Sequence, residues 1–295
     1  MSVSEQQLST WAQPPNDREE TKCQETARRI SKAIKERFGD SVSVFLQGSY
    51  KNRTNVKRDS DVDIVARHNN YFFPGLDELS EQDKRLYWAK HPSCSYTFTQ
   101  FKGEIQSALE SEFAYGEVKR KPKCIKVIKN DQRVDADVVP CFVHKRFRTV
   151  DAVSTEGIEF LTDSGGRIYG FPEQHYDNGV AKNDRTRRTY KGVVRILKNV
   201  RNELIDQKII ADKAMPSFFI ECLVWNVPDN LIDKTTYSEA TRNVIIRIWN
   251  DMGNADAANN YAEVSDLLWL FRGTARTHEQ AKTFMEKTWT FLGYS

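Results

Sequence analysis

The chain has 295 residues, 39% of them apolar and 29% charged, which is enough apolar mass for one large domain or two closely joined lobes. Lys and Arg outnumber Asp and Glu by 44 to 41, and a net charge of +3 argues against a protein that coats nucleic acid. A transmembrane helix would need about 18 consecutive apolar residues, and no such run occurs. Met1–Asp17 is polar, which predicts no secretory leader and a cytoplasmic protein. The five cysteines (Cys23, Cys94, Cys124, Cys141, Cys222) are scattered, so reduced thiols are expected rather than a zinc knuckle or redox pair.

The first ten to twenty residues read as an arm, pinned by Trp11 and Pro14-Pro15. A helix is predicted from Arg18, capped by Asn16 or Asp17, with Glu19 and Glu20 in its first turn. Cys23, Ala27, Ile30, Ala33 and Ile34 recur at helical spacing along it. Val42–Leu46 is apolar and β-branched and predicts a strand; a turn at Gly48 follows, then a second strand from Asp61 to Ala66, ended by Asn69-Asn70. Glu81–Trp88 is a short helical candidate, and Phe98–Phe113 a longer one with Phe101, Ile105, Ala108 and Leu109 on one face. Lys123–Ile128 and Arg133–Val139 read as strands joined at Asn130-Asp131. Residues 150 to 180 suggest a long loop holding a short strand or two. From Asp184 the pattern turns helical, with helices expected near 184–207, 216–226, 238–252, 260–271 and 278–291.

Chemistry concentrates in three stretches. Gln47-Gly48-Ser49-Tyr50 precedes a basic, polar segment and then Asp59-Ser60-Asp61-Val62-Asp63-Ile64-Val65. Residues two apart on a strand share a face, so Asp61 and Asp63 project together while Val62, Ile64 and Ala66 face apolar packing. Adjacent carboxylates repel unless a cation lies between them, and hard divalent ions prefer oxygen ligands. Arg133-Val134-Asp135-Ala136-Asp137-Val138-Val139-Pro140 repeats the pattern. If this strand lies beside the first, three or four carboxylates converge, as a two-metal phosphoryl-transfer site requires. Gly48 lets backbone approach phosphate, the Ser49 hydroxyl can donate to it, and Lys51, Arg53 and Lys57 add positive charge.

The order of strand, Gly-Ser, Asp-x-Asp on an apolar strand and a later acidic strand resembles the nucleotidyltransferases related to polymerase β. More closely it is similar to the bacterial cGAS/DncV-like enzymes, the CD-NTases. The likeness extends through Gln174-His175-Tyr176-Asp177-Asn178-Gly179 and Tyr190–Lys198, covering most of residues 40 to 205. It implies an α+β fold: a polymerase β-like mixed sheet with helices over residues 1–183, packed against a C-terminal helical lobe over 184–295. It implies Asp61, Asp63 and Asp137 as catalytic, metal-holding residues for two Mg2+ or Mn2+ ions, with Asp135 as the alternative third carboxylate. Asp137 is preferred because Asp-Val-Val-Pro resembles the Asp-Val-Leu-Pro of the oligoadenylate synthases.

Gln47, Gly48 and Ser49 are the implied nucleotide-binding residues on the phosphate side. Arg188, Lys191, Arg195 and Lys198 stripe one face of the helix expected near 184–207, and Val193, Ile196, Leu197, Val200 and Leu204 the opposite one. A cationic stripe alone is commonly a solvated face. Beside an acidic metal site it can meet a triphosphate, and the resemblance implies that contact for Lys191, then Lys198. Tyr190 is a candidate for base stacking, with packing as its ordinary role. The Lys119-Arg120-Lys121-Lys123-Lys126-Lys129 run reads as a charged, protected edge strand.

The implied activity is joining nucleoside triphosphates, ATP or GTP and also pyrimidine nucleotides, into a cyclic di- or trinucleotide second messenger. Its antiphage role would run through a separate effector protein that responds to the product. A monomer without membrane or stable nucleic-acid partner is expected. The competing reading is a template-independent RNA polymerase of the poly(A) or CCA-adding kind, which needs an extended basic primer surface. A non-catalytic scaffold predicts lost carboxylates, and an antitoxin-type minimal enzyme a shorter chain.

Overall fold

A computed structural model describes residues 3–15, 17–56 and 61–294, the side chains of residues 17–19 excepted. The cap expected of Asn16 or Asp17, the first-turn side chain of Glu19, and Lys57, Asp59 and Ser60 lie outside the described residues. The helices are α1 Glu5–Trp11, α2 Asp17–Phe38, α3 Gly48–Lys51, α4 Glu81–Lys90, α5 Phe98–Glu112, α6 Pro172–Arg185, α7 Thr189–Asp206, α8 Ser217–Trp225, α9 Asp229–Ile232, α10 Tyr237–Met252, α11 Ala255–Asn259 and α12 His278–Leu292. The chain forms two compact units, a division different from a single cut at 183. A sheet unit holds Asp17–Gln47 and Asp61–Pro172; a helical unit holds Met1–Asn16, Gly48–Ser60 and Glu173–Ser295.

The strands of the sheet unit are β1 Val42–Gln47, β2 Val62–Gly75, β3 Val118–Arg120, β4 Ile125–Val127, β5 Ala136–Thr149, β6 Ala152–Leu161 and β7 Arg167–Gly170. They order as β1-β2-β5-β4-β3, with β6 added to β5 and β7 to β6. β2 and β5 run parallel and the other pairs antiparallel, so the sheet is mixed. Val62, Ile64, Ala66, Ala136 and Val138 are fully buried or nearly so, as alternation along an apolar strand requires. Helices α2 and α5 pack on each other and reach the sheet, burying Ile30, Ile34, Phe101, Ile105 and Leu109.

Three expectations about this unit change. β2 does not stop at Asn69-Asn70; the register shifts between His68 and Phe72 and pairing with β5 resumes, so the asparagines mark a bulge. The segment read as a long loop is a β6–β7 hairpin leading into α6. The basic run is no single edge: β3 is outermost, whereas β4 lies between β3 and β5.

In the helical unit α7 is the central helix, with Tyr190, Val193, Ile196, Leu197, Val200 and Leu204 buried in a core shared with α8, α10 and α12. The N-terminal arm is ordered as α1: Leu8 is buried, and Trp11 stacks on Phe291 at 6.4 Å. The helix expected from 184 breaks at Arg187 and Arg188, which adopt left-handed φ values of 47° and 68°. The helix expected over 260–271 is absent. Glu263 and Leu270 N–H donate across to Leu268 and Tyr261, an extended pairing that buries Val264, Leu270 and Phe271 from a turn.

Candidate active site

Strand register sets the acidic centre of the sheet unit. Gln47 on β1 pairs with Asp63 on β2, Asp63 with Asp137 on β5, and Asp137 with Lys126 on β4. Residues paired across strands point to the same face, so this row presents an amide, two carboxylates and an ammonium together. Asp61 immediately precedes β2, and Val62 N–H donates to the Asp135 carbonyl at 3.0 Å, which fixes that end of the pairing.

The electrostatics follow from this crowding. Burial, then Asp137, then Asp61 push the Asp63 carboxyl up to about 7. Burial also raises Asp61, with Lys126 opposing it. One buried oxygen of Asp137, Oδ1, has no hydrogen-bond partner. Burial and the neighbouring Asp137 push the Cys124 thiol up to about 12. Asp135 behaves differently. Its Oδ1 accepts from Lys129 N–H at 2.7 Å and its Oδ2 pairs with Lys126 Nζ at 3.1 Å. Burial would raise its pKa, but the Lys129 amide and Lys126 outweigh burial and hold it below the ordinary value.

The donor set fits a hard divalent cation: three mutually repelling carboxylates, the Asp63 carboxyl pushed up to about 7 by that crowding and burial, and an unsatisfied buried oxygen. The side chains are not drawn together as ligands. Among the described residues no group of three or more His, Cys, Asp or Glu stands at metal-holding distances.

The helical unit carries the other singled-out residues. Gly48 has a left-handed φ of 68°, suited to glycine, and opens α3, which places Ser49 in a turn closed by Asn52 N–H on the Gly48 carbonyl and Thr54 N–H on the Ser49 carbonyl. The cationic stripe is largely buried, contrary to a solvated face. Arg195 Nε donates to the Ala12 carbonyl at 2.6 Å, and Nη1 to the Arg53 carbonyl. Lys198 Nζ, fully buried, donates to the Thr54 carbonyl at 2.9 Å, with Glu221 Oε2 at 3.7 Å. Lys198 therefore grips the segment after Ser49 rather than offering a free ammonium. Tyr190 is fully buried in the helical core, which is the packing role.

Lys191 and Lys51 lie 5.8 and 4.4 Å from the Tyr176 ring centroid. Burial, with Arg195 and Arg53 nearby, lowers the Lys191 pKa, and Glu221 opposes the shift. The sequence placed Lys126 in the basic run without linking it to the acidic centre, and it gave no sign of the Thr54–Glu221 pair. The register of Lys126 opposite Asp137 would have revealed the first; nothing local signals the second.

These features are those of a metal-dependent nucleotidyltransferase. A nucleotidyltransferase domain model matches residues 27–153, and a cGAS/DncV-like nucleotidyltransferase C-terminal helical domain model matches residues 177–293. The chain belongs to the cGAS/DncV-like nucleotidyltransferases, and members of the wider superfamily generally use divalent metal ions.

Among its relatives, the cyclic dipurine nucleotide synthase of Elizabethkingia meningoseptica is 48% identical, with 100% of both chains covered. A cyclic dipyrimidine nucleotide synthase of Cecembia lonarensis is 34% identical, with 99% of each covered. The solved structure of the Elizabethkingia synthase with GTP and Apcpp matches with a TM-score of 0.84 at 45% identity, covering 99% of this chain and 100% of that one. The c-UMP-AMP synthase of Rhodothermus marinus with Apcpp and Upnpp also gives 0.84, at 30% identity, covering 99% and 98%. Among the described residues no helix is long and apolar enough to cross a membrane.

Proposed function

We propose that this chain joins two nucleoside triphosphates into a cyclic dinucleotide. The observation that carries the reading is the Gln47–Asp63–Asp137 row, with Asp61 beside it, in a chain that aligns end to end with a cyclic dipurine nucleotide synthase. Each linkage forms when a sugar hydroxyl oxygen of one nucleotide attacks the α-phosphorus of another. The bond to pyrophosphate breaks, and the hydroxyl proton leaves to base or solvent. A second round within the linear intermediate closes the ring.

In this reading Asp61, Asp63 and Asp137 hold Mg2+ or Mn2+, two ions in all. Bound there, such ions lower the pKa of the attacking hydroxyl and stabilise the leaving pyrophosphate. Asp137 Oδ1, buried and unpartnered, is the atom suited to orient the hydroxyl or take its proton. Gly48 and Ser49 offer backbone and hydroxyl to phosphate oxygens, and Gln47 its amide. Lys191, with Lys51 nearby on the same Tyr176 ring, supplies positive charge for the triphosphate. Purine nucleotides are the first substrates to try, given the 48% identity to a dipurine synthase. The product would act as a signal to a separate effector in antiphage defence, and the enzyme itself would work as a cytoplasmic monomer.

The test is direct. Purified protein is incubated with each labelled nucleoside triphosphate, singly and in pairs, with Mg2+ or Mn2+, then with phosphatase. A small phosphatase-resistant product, labelled by ATP or GTP, is expected. Ladders that lengthen only when RNA is added would replace this reading with the polymerase one.

A further inference from the structure

Lys126 is a cation inside the acidic cluster. From β4 its ammonium reaches Asp61 Oδ2 at 3.4 Å and Asp135 Oδ2 at 3.1 Å, while its backbone pairs with Asp137. Its two partners are not equivalent. Asp135 is fixed through its other oxygen by Lys129 N–H at 2.7 Å. Asp61 precedes the strand, and its side chain is 53% exposed against 19% for Asp135. The ammonium thus has one partner tied down by a second hydrogen bond and one that is far more exposed.

We infer that Lys126 is a built-in counter-ion that competes with the divalent cation for Asp61 and withdraws to Asp135 when the cation arrives. Asp135 is then the holder that receives Lys126, which gives a second acidic residue on the same strand face a role of its own. The consequence is a site tuned against divalent cation alone: a lone ion must displace Lys126 and stand beside its charge. An ion arriving with a triphosphate brings negative charge that offsets this repulsion. Lys126 acts through Asp61 and is a positioning residue.

The inference rests on Asp61, Asp63 and Asp137 being the metal-holding carboxylates. Its test reads metal binding without turnover. Mn2+ alone is titrated calorimetrically into the nucleotide-free full-length protein, in wild type and in Lys126→Met, Lys126→Arg, Asp135→Asn and Asp63→Asn, each checked for folding by circular dichroism. Removing one nearby unit charge should tighten Mn2+ binding about tenfold in Lys126→Met. Lys126→Arg should stay near wild type. In Asp135→Asn the ammonium keeps only Asp61, so binding should weaken about threefold.

A folded Lys126→Met that binds Mn2+ no tighter than wild type would overturn the role of Lys126. Wild type and Asp63→Asn binding Mn2+ with the same measurable affinity would overturn the metal-site reading itself and this inference with it.

Discussion

Asp63 carries an acidic group where burial and the carboxylates of Asp137 and Asp61 all oppose a negative charge. Asp63→Asn keeps shape and removes the charge, so the protein should stay folded while product formation drops on the order of 10³-fold. Labelled-nucleotide assays beside circular dichroism check both halves, and retained synthesis would refute the assignment. Glu221 makes the opposite case. Burial works to raise its pKa, but His175 at 3.0 Å, Lys198 and the Thr54 hydroxyl at 2.8 Å outweigh it and hold it well below the usual carboxylate range. A depressed folded-state pKa contributes stability that is present above the ordinary value of 4.5 and is lost as pH falls below it. Wild type should therefore lose melting temperature more steeply than Glu221→Gln between about pH 5 and pH 3. At pH 7 that variant should be about 3 kcal/mol less stable, because Lys198 keeps a buried charge without its counter-ion. Parallel slopes in the two melting curves would remove Glu221 from this role. The carboxylates were legible in the sequence because alternation on apolar strands shows where they point. Thr54 and Glu221 were not, being 167 positions apart and paired only by tertiary folding.

Helix α7 shows what periodicity conveys and where it stops. The apolar face of Val193, Ile196, Leu197, Val200 and Leu204 was readable at helical spacing and is buried. The polar face was misleading, because Arg195 and Lys198 are buried to satisfy carbonyls of distant segments, a demand that leaves no local trace. The same limit explains residues 260–271, where apolar residues at helical spacing enter the core from a turn, and the bulge that carries β2 past Asn69. Within α7 one glycine is fixed by contact. A Cβ on Gly192 would lie 2.6 Å from the Tyr237 ring, and the Tyr237 backbone is itself held by Glu5 at 2.7 Å. Gly192→Ala should gain helix propensity yet destabilise by about 1–3 kcal/mol through overpacking. Denaturant midpoints measure this; an unchanged midpoint would mean the ring swings clear.

The chain visits its two units in alternation, and the helical unit draws on three separate stretches. Its mixed sheet and helical C-terminal region were legible as a change in patterning near residue 184. The return of residues 48–60 to the helical unit was not, since a loop's allegiance depends on partners such as Lys198. A fragment spanning Glu173–Ser295 would lack Ala12, Arg53 and Thr54, whose carbonyls accept from Arg195 and Lys198. Losing several such buried partners at about 1–3 kcal/mol each exceeds much of a domain's stability. The fragment should show no cooperative thermal transition, and the full chain should show one. The helical unit also joins the two extremes of the chain, with Val3 N–H donating to the Leu292 carbonyl at 3.1 Å. Val3 and Leu292 are close enough for a short linker to bridge them. A circular permutant that links the old ends by a few flexible residues and opens between β3 and β4 would encode α6 to α12 and α1 as one uninterrupted run, leaving residues 48–60 as the sole insert.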